Sequence, residues 1–263
     1  MVVQPDLILL LLLLGILTGV TSGVLGIGGG LLMVPALMVF GVPILPATAT
    51  SLVGVLLSSV SGTLQNWRTG ELQIGLSLLL ALGGIPMAQV GAVLGDRLPA
   101  SILAFSFAGL QLVAIYLMGL RRQLGERKLG DKEILKVDTT SDFLKILGIG
   151  LIAGFLSGLF GVGGGLVIVP LQMLFLSIPI KPAVRNSLGA IVLIAASGLI
   201  RHAYNGNVLW IPGICLGIGG IVGAQLGTRI LPKLSPRVVN LLFRLLLLGM
   251  AGYTIVKGIQ VLG

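Results

Sequence analysis

The chain has 263 residues, of which 56% are hydrophobic and only 10% charged, with a net charge of +9. Soluble domains carry about 25% charged residues, so a water-soluble globule is excluded and an all-α polytopic membrane protein is expected. The charge does not mark a nucleic-acid binder, because the basic residues are scattered through loops between apolar segments, where membrane orientation explains them. With one cysteine, Cys215, and one histidine, His202, neither an intramolecular disulfide nor a His-rich or thiolate metal site can be built. No cofactor is expected.

A membrane helix needs about 20 apolar residues, fewer if it is broken. The first segment, Leu7–Leu25, has no basic stretch before it and no small-x-small cleavage site, so it reads as a retained helix rather than a signal peptide. Leu31–Val42 follows and is short. Pro46–Gln65, Leu72–Leu94 and Ala100–Leu120 complete the first half. The polar run Arg121–Lys145 holds seven Lys/Arg and five Asp/Glu and reads as a solvated loop. The second half offers Leu147–Phe160, Leu166–Leu176, Pro182–His202, Val208–Ile230 and Arg237–Val256. The expected division is thus a first membrane repeat over 1–120, a charged loop over 121–146 and a second repeat over 147–263.

Between the first and second segments of each half stands a glycine-rich break. Nine of fifteen positions agree between Thr21–Pro35 and Leu156–Pro170. Further matches follow at a spacing of 136: Pro43 with Pro179, Ser51 with Ser187, Ser61-Gly62 with Ser197-Gly198, Gly70 with Gly206, Gly83-Gly84 with Gly219-Gly220, and Ala88-Gln89 with Ala224-Gln225. Correspondence on this scale is an internal duplication, and a duplicated membrane protein points to transporter architecture.

Counting Lys and Arg by loop tests how the halves are oriented. If the short segments cross, each half has five segments and the repeat is inverted. Thirteen basic residues then share the face of the central loop, against three (Arg97, Arg201, Lys257) on the other. If they are re-entrant, the halves are parallel, with ten against six. The inverted reading separates charge better. The expectation is eight to ten membrane segments with two Gly-rich broken helices, in the inner (plasma) membrane, the central loop cytoplasmic.

At Gly23–Gly30 and Gly158–Gly165, each reading Gly-x-x-Gly-x-Gly-Gly-Gly, with Pro35, Pro170 and the Ala-Thr-x-Thr-Ser of Ala47–Ser51, the chain resembles the TauE/SafE family of sulfite exporters. A weaker counterpart of the last motif is Ala183–Ser187. The resemblance covers nearly the whole chain and implies movement of a small sulfur-containing anion across a lipid bilayer.

The candidate substrate-binding residues begin with the breaks: Gly26, Gly28, Gly29, Gly30 and Pro35, and Gly161, Gly163, Gly164, Gly165 and Pro170. Glycine lets backbone N–H groups turn towards a ligand, and a helix start adds a positive dipole end; close helix packing is the plainer alternative. Thr48, Thr50, Ser51, Asn186 and Ser187 open the third segment of each half, where they could bind substrate oxygens, cap those helices or satisfy backbone freed by the prolines. Gln89 and Gln225 match deep in the fourth segments, as pathway lining or interhelical hydrogen bonds. Arg185 is a candidate anion contact that also has an ordinary positive-inside explanation. Arg244, inside the last segment, reads as a snorkelling side chain.

No segment interior carries a carboxylate, which argues against a carboxylate proton relay. No phosphate-binding Gly-x-x-x-x-Gly-Lys-Ser/Thr loop is present, nor any nucleophile–base or zinc motif, so an enzyme is not expected. The reading is a secondary transporter or facilitator for sulfite, thiosulfate or an organosulfonate, with a midplane site at the two breaks and alternating access. The alternative is a membrane scaffold that docks a partner through 121–146. Homo-oligomerisation is left open.

Overall fold

A computed structural model describes residues 5–126, 140–230, 248–256, 258 and 259. The described residues are almost wholly helical: α1 (Pro5–Leu25), α2 (Gly30–Val39), α3 (Ile44–Arg68), α4 (Ile74–Arg97), α5 (Ala100–Glu126), α6 (Thr140–Phe160), α7 (Gly165–Phe175), α8 (Ile180–Tyr204) and α9 (Trp210–Ile230). A further helical stretch covers 248–256. Six of the helices (α1, α3, α4, α6, α8 and α9) are long and apolar enough to cross a membrane, which makes this a multi-pass membrane protein.

The expected segments coincide with helices to within a few residues, except beside the polar run. There α5 continues to Glu126 and α6 starts at Thr140, so helix takes up both ends of the loop expected over 121–146. A polar sequence does not forbid helix outside the hydrocarbon layer. Asp142 sits in the first turn of α6, where the dipole favours an anion, and pairs with Lys145 at 3.1 Å. The Arg237–Val256 segment is described only from 248, and Arg244 lies outside the described residues.

Packing is mostly between halves. The most extensive contacts join α1 to α9 and α4 to α6. Both rest on glycines set a turn apart. Gly15, Gly19 and Gly23 press on the α9 backbone at Leu216, Gly220 and Ala224, while Gly219, Gly223 and Gly227 press back on Leu12, Ile16 and Val20. On the other side Gly150, Gly154 and Gly158 lie on Leu80, Gly84 and Ala88. A Cβ at these positions would strike backbone, so only glycine permits the approach, which in a membrane replaces the hydrophobic drive that lipid removes.

These registers fix the helix directions. α1 runs parallel to α9, and so does α3, whose Val53, Leu57 and Ser58 meet Gly213, Gly217 and Gly220. α6 and α8 both run parallel to α4, the latter through Ser77 with Gly189 and Ala88 with Gly198. α3 and α8, the buried central pair, run antiparallel: Gly62 meets Leu188 and Gly198 meets Leu52. Since α1 and α3 point the same way, the chain must return between them, and α2 carries it back. α7 does the same between α6 and α8. Lys145, Arg68, Lys181, Arg185 and Arg229 therefore share one end of the molecule, and Arg97 and Arg201 the other.

Matching turns close the long hairpins. Gly70 and Gly206 have φ of 70° and 75°. The N–H groups of Glu71 and Asn207 reach back to the carbonyls of Asn66 and His202 at 3.0 Å, a helix stop that a left-handed glycine permits. Exposed Leu9, Leu13 and Leu17 on α1, Leu78 and Leu82 on α4, and Ile214 and Ile218 on α9 form the apolar exterior that hydrocarbon would cover.

Candidate functional site

The two breaks meet at the buried centre. Each is a run of left-handed glycines: φ is 67°, 85° and 79° at Gly26, Gly28 and Gly29, and 69°, 77° and 77° at Gly161, Gly163 and Gly164. Gly29 and Gly164 are the N-caps of α2 and α7, without side-chain caps. A Cβ on Gly30 would fall on the Gly161 carbonyl, and one on Gly165 on the Gly26 carbonyl; Gly28 and Gly163 both face Val55 and Ile191. The first residue of each short helix therefore touches the break that precedes the other.

Two positive helix ends thus converge on one dry place. Each carries roughly half an elementary charge, and helix N-termini supply N–H groups that suit an anion. α2 and α7 are buried along nearly their whole length. Pro35 and Pro170 sit inside them and remove one N–H each from the helix ladder, which leaves the carbonyl one turn earlier free for other contacts.

Hydroxyl groups tie the crossing shut. Ser51 Oγ donates to the carbonyls of Thr48 (2.7 Å) and Gly161 (2.9 Å). Ser187 Oγ makes the matching contacts, with Val184 and Gly26, each at 2.8 Å. Thr50 Oγ1 accepts from the Leu209 N–H at 2.9 Å. Asn186 Oδ1 accepts from the Gln73 N–H at 3.3 Å, while its Nδ2 donates to Gln73 Oε1 at 3.1 Å. Residues expected to face substrate thus span from one half to the other.

Gln89 and Gln225 follow the same rule. Gln89 Nε2 donates to the Ser197 carbonyl at 2.6 Å and lies 2.9 Å from its Oγ. Gln225 Nε2 does so with Ser61, at 3.1 and 3.2 Å. Ser197 and Ser61 in turn donate to the carbonyls of Ile85 and Ile221, both at 2.9 Å. The hydrogen bonds of the glutamines thus go to α8 and α3 serines and not to the break glycines. The sequence singled out the glutamines but not their serine partners, although Ser61 and Ser197 were already visible as a matched pair.

Arg185 is not free. Its guanidinium lies 2.7 Å from Glu71 Oε1, at the loop between α3 and α4. Glu71 and Gln73 line a cavity of about 1120 Å³ with Leu76, Ile85, Ser177 and Leu193 among its walls. It lies between the start of α4 and the α7–α8 connection, at the end of the molecule that carries Lys145. Two buried hydroxyls, Ser22 and Ser157, have no hydrogen-bond partner. They match across the halves and sit one turn before each break, and only their place inside the glycine motif could have flagged them. Among the described residues no group of three or more His, Cys, Asp or Glu gathers as a metal site.

The arrangement is that of a helical membrane transporter with broken helices at its centre. The family model described as "Sulfite exporter TauE/SafE" matches residues 11–254, and the chain belongs to that family. It is 27% identical to "Probable membrane transporter protein YunE" of Bacillus subtilis, over 95% of this chain and 98% of the relative. It is 30% identical to "Probable membrane transporter protein YdhB" of the same organism, over 88% and 93%. With "Probable membrane transporter protein MJ0441" of Methanocaldococcus jannaschii the identity is 29%, over 89% and 90%. No solved structure matches the chain significantly. The protein is a membrane transporter of the TauE/SafE type.

Proposed function

We infer that this transporter carries a small oxyanion, of the sulfite, thiosulfate or organosulfonate class, without catalysing a reaction. Binding falls between the N-termini of α2 and α7. The observation that carries this reading is the convergence of two uncapped helix starts on the contact between Gly28–Gly30 and Gly163–Gly165. Like dipole ends brought together in a dry interior repel, and an anion between them removes the repulsion.

Alternating access follows from treating the halves as an inverted repeat of five segments each. Support comes from the antiparallel α3 and α8, and from hydrogen bonds that recur in matched pairs across the halves. Rocking one half on the other would separate Ser51 from Gly161 on one side and Ser187 from Gly26 on the other. The cavity beside Glu71 is the approach from the central-loop face. We assign that face to the cytoplasm and the protein to the plasma membrane, because Arg68, Lys145, Lys181, Arg185 and Arg229 gather there.

Purified protein in sealed vesicles provides the test. Under an imposed anion gradient, sulfite, thiosulfate or a sulfonate should move faster than through empty vesicles, and one of them should compete with the others. Failure of all three under every gradient removes the substrate class.

A further inference from the structure

We propose that Arg97 and Arg201 form a second oxyanion-binding cleft, on the face opposite the central loop, for a phosphate-type group. The cleft is a cavity of about 400 Å³ lined by Gln89, Val90, Val93, Leu94, Arg97 and Arg201. Arg97 ends α4 and Arg201 lies in the last turn of α8, and the two helices run parallel. A helix C-terminus by itself favours a cation. That does not account for Arg201 Nε, which is buried without an acceptor. The guanidinium lies over the Tyr204 ring at 5.9 Å, a contact that holds its face and leaves its N–H edge for an acceptor.

Among the described residues no acceptor meets this group. The ion pairs among the described residues join Lys145 to Asp142 and Arg185 to Glu71. Asp96, next to Arg97 in sequence, is held instead by the side-chain amides of Asn205 and Asn207. These arginines are also two of the three basic residues that run against the charge asymmetry of the chain, so orientation in the membrane does not explain them. Two planar guanidiniums on one small cleft match the oxygens of a tetrahedral anion.

The remaining walls suggest how the ligand arrives. Val90 and Leu94 are 50% and 37% exposed on the apolar exterior, so the cleft opens towards the bilayer. A lipid phosphate at the two arginines, with its chain along Val90 and Leu94, satisfies both features. A free oxyanion from the aqueous side satisfies the first. The inference does not rest on the central site or on which anion the protein carries.

The test uses the full chain purified in a neutral detergent. Native mass spectrometry compares retention of phosphatidylglycerol with phosphatidylcholine of the same acyl chains, and thermal unfolding is followed with added inorganic phosphate. The expected result is about a tenfold preference for the anionic lipid, lost in the Arg97→Gln/Arg201→Gln double variant. Retention of the lipid without phosphate stabilisation identifies a headgroup site, whereas stabilisation by phosphate alone identifies a free-anion site; either supports the cleft. Arg68→Gln, at the other end, is the charge control. The proposal is overturned if the double variant behaves as wild type in both arms, or if Arg68→Gln loses the preference equally.

Discussion

Ser51 and Gly161 are 110 residues apart in sequence, yet the serine hydroxyl lies 2.9 Å from the glycine carbonyl. The hydroxyl has one proton and faces a second carbonyl, Thr48, at 2.7 Å, so it is shared between its own helix and the opposite break. Replacing Ser51 by Ala deprives a buried carbonyl of this donor, at a cost of about 1–3 kcal/mol. Ser187→Ala should cost a similar amount through Gly26. Thermal unfolding in detergent should show both losses, and vesicle flux should fall in both. A variant that unfolds as wild type does would show that the contact is not a clamp.

The break glycines should tolerate even less. At Gly29 a side chain meets both an unfavourable φ of 79° and the Thr18 carbonyl at 2.9 Å; at Gly164 it meets Ala153. Gly29→Val and Gly164→Val are each expected to abolish flux while protein still reaches the membrane fraction. Gly41 has the same φ of 79° but nothing within 4 Å. Gly41→Ala should therefore bear only the strain of the left-handed backbone, about 1–2 kcal/mol, and keep most of its flux.

Glu71 competes with any anion for Arg185. Its side chain is 44% exposed, so solvent screens the pair and its worth is about 0–1 kcal/mol. Glu71→Gln should lower KM from the central-loop face by up to about fivefold, and Arg185→Gln should raise it. Initial rates against anion concentration decide this. A rise in KM on losing Glu71 would mean that the carboxylate positions Arg185 rather than occupying it.

Helix direction is open to chemical labelling. Thr69 and Asn205 are matched, exposed residues at the ends of α3 and α8. Cysteines introduced there, in a Cys215→Ala background, should react with a membrane-impermeant thiol reagent from opposite sides of a sealed vesicle. Labelling from the same side contradicts antiparallel α3 and α8.

Local sequence carried the helices and the breaks, because both depend on neighbours. Runs of apolar residues define the spans, and three successive glycines disfavour continuing a helix by roughly 1 kcal/mol each relative to Ala. Repetition adds the matched pairs, so Ser51 with Ser187 and Gln89 with Gln225 are legible in the sequence alone. What each of them touches is not. Ser51 reaches Gly161, and Gln89 reaches Ser197, across more than 100 residues, and no spacing rule encodes such a distance. Nor did composition reveal that Glu71 neutralises Arg185, since both lay in stretches where charge already had an explanation. The start of α6 at Thr140 was hidden for the opposite reason: a polar helix turn outside the hydrocarbon layer has no apolar signature.

The glycine seams impose a timetable on biogenesis. α1 leaves the ribosome first, but the surface that receives Gly15, Gly19 and Gly23 is on α9, roughly 200 residues later. At about 5–20 residues per second, the first helix waits on the order of 10–40 s for its partner. During that time it holds its place by hydrophobicity alone, which its leucine-rich sequence supplies. A chain cut within 127–139 should still assemble from two separately made pieces, since each piece carries one strip of both seams. A chain that stops before α9 leaves α1 without its glycine-lined neighbour, exposed to membrane quality control.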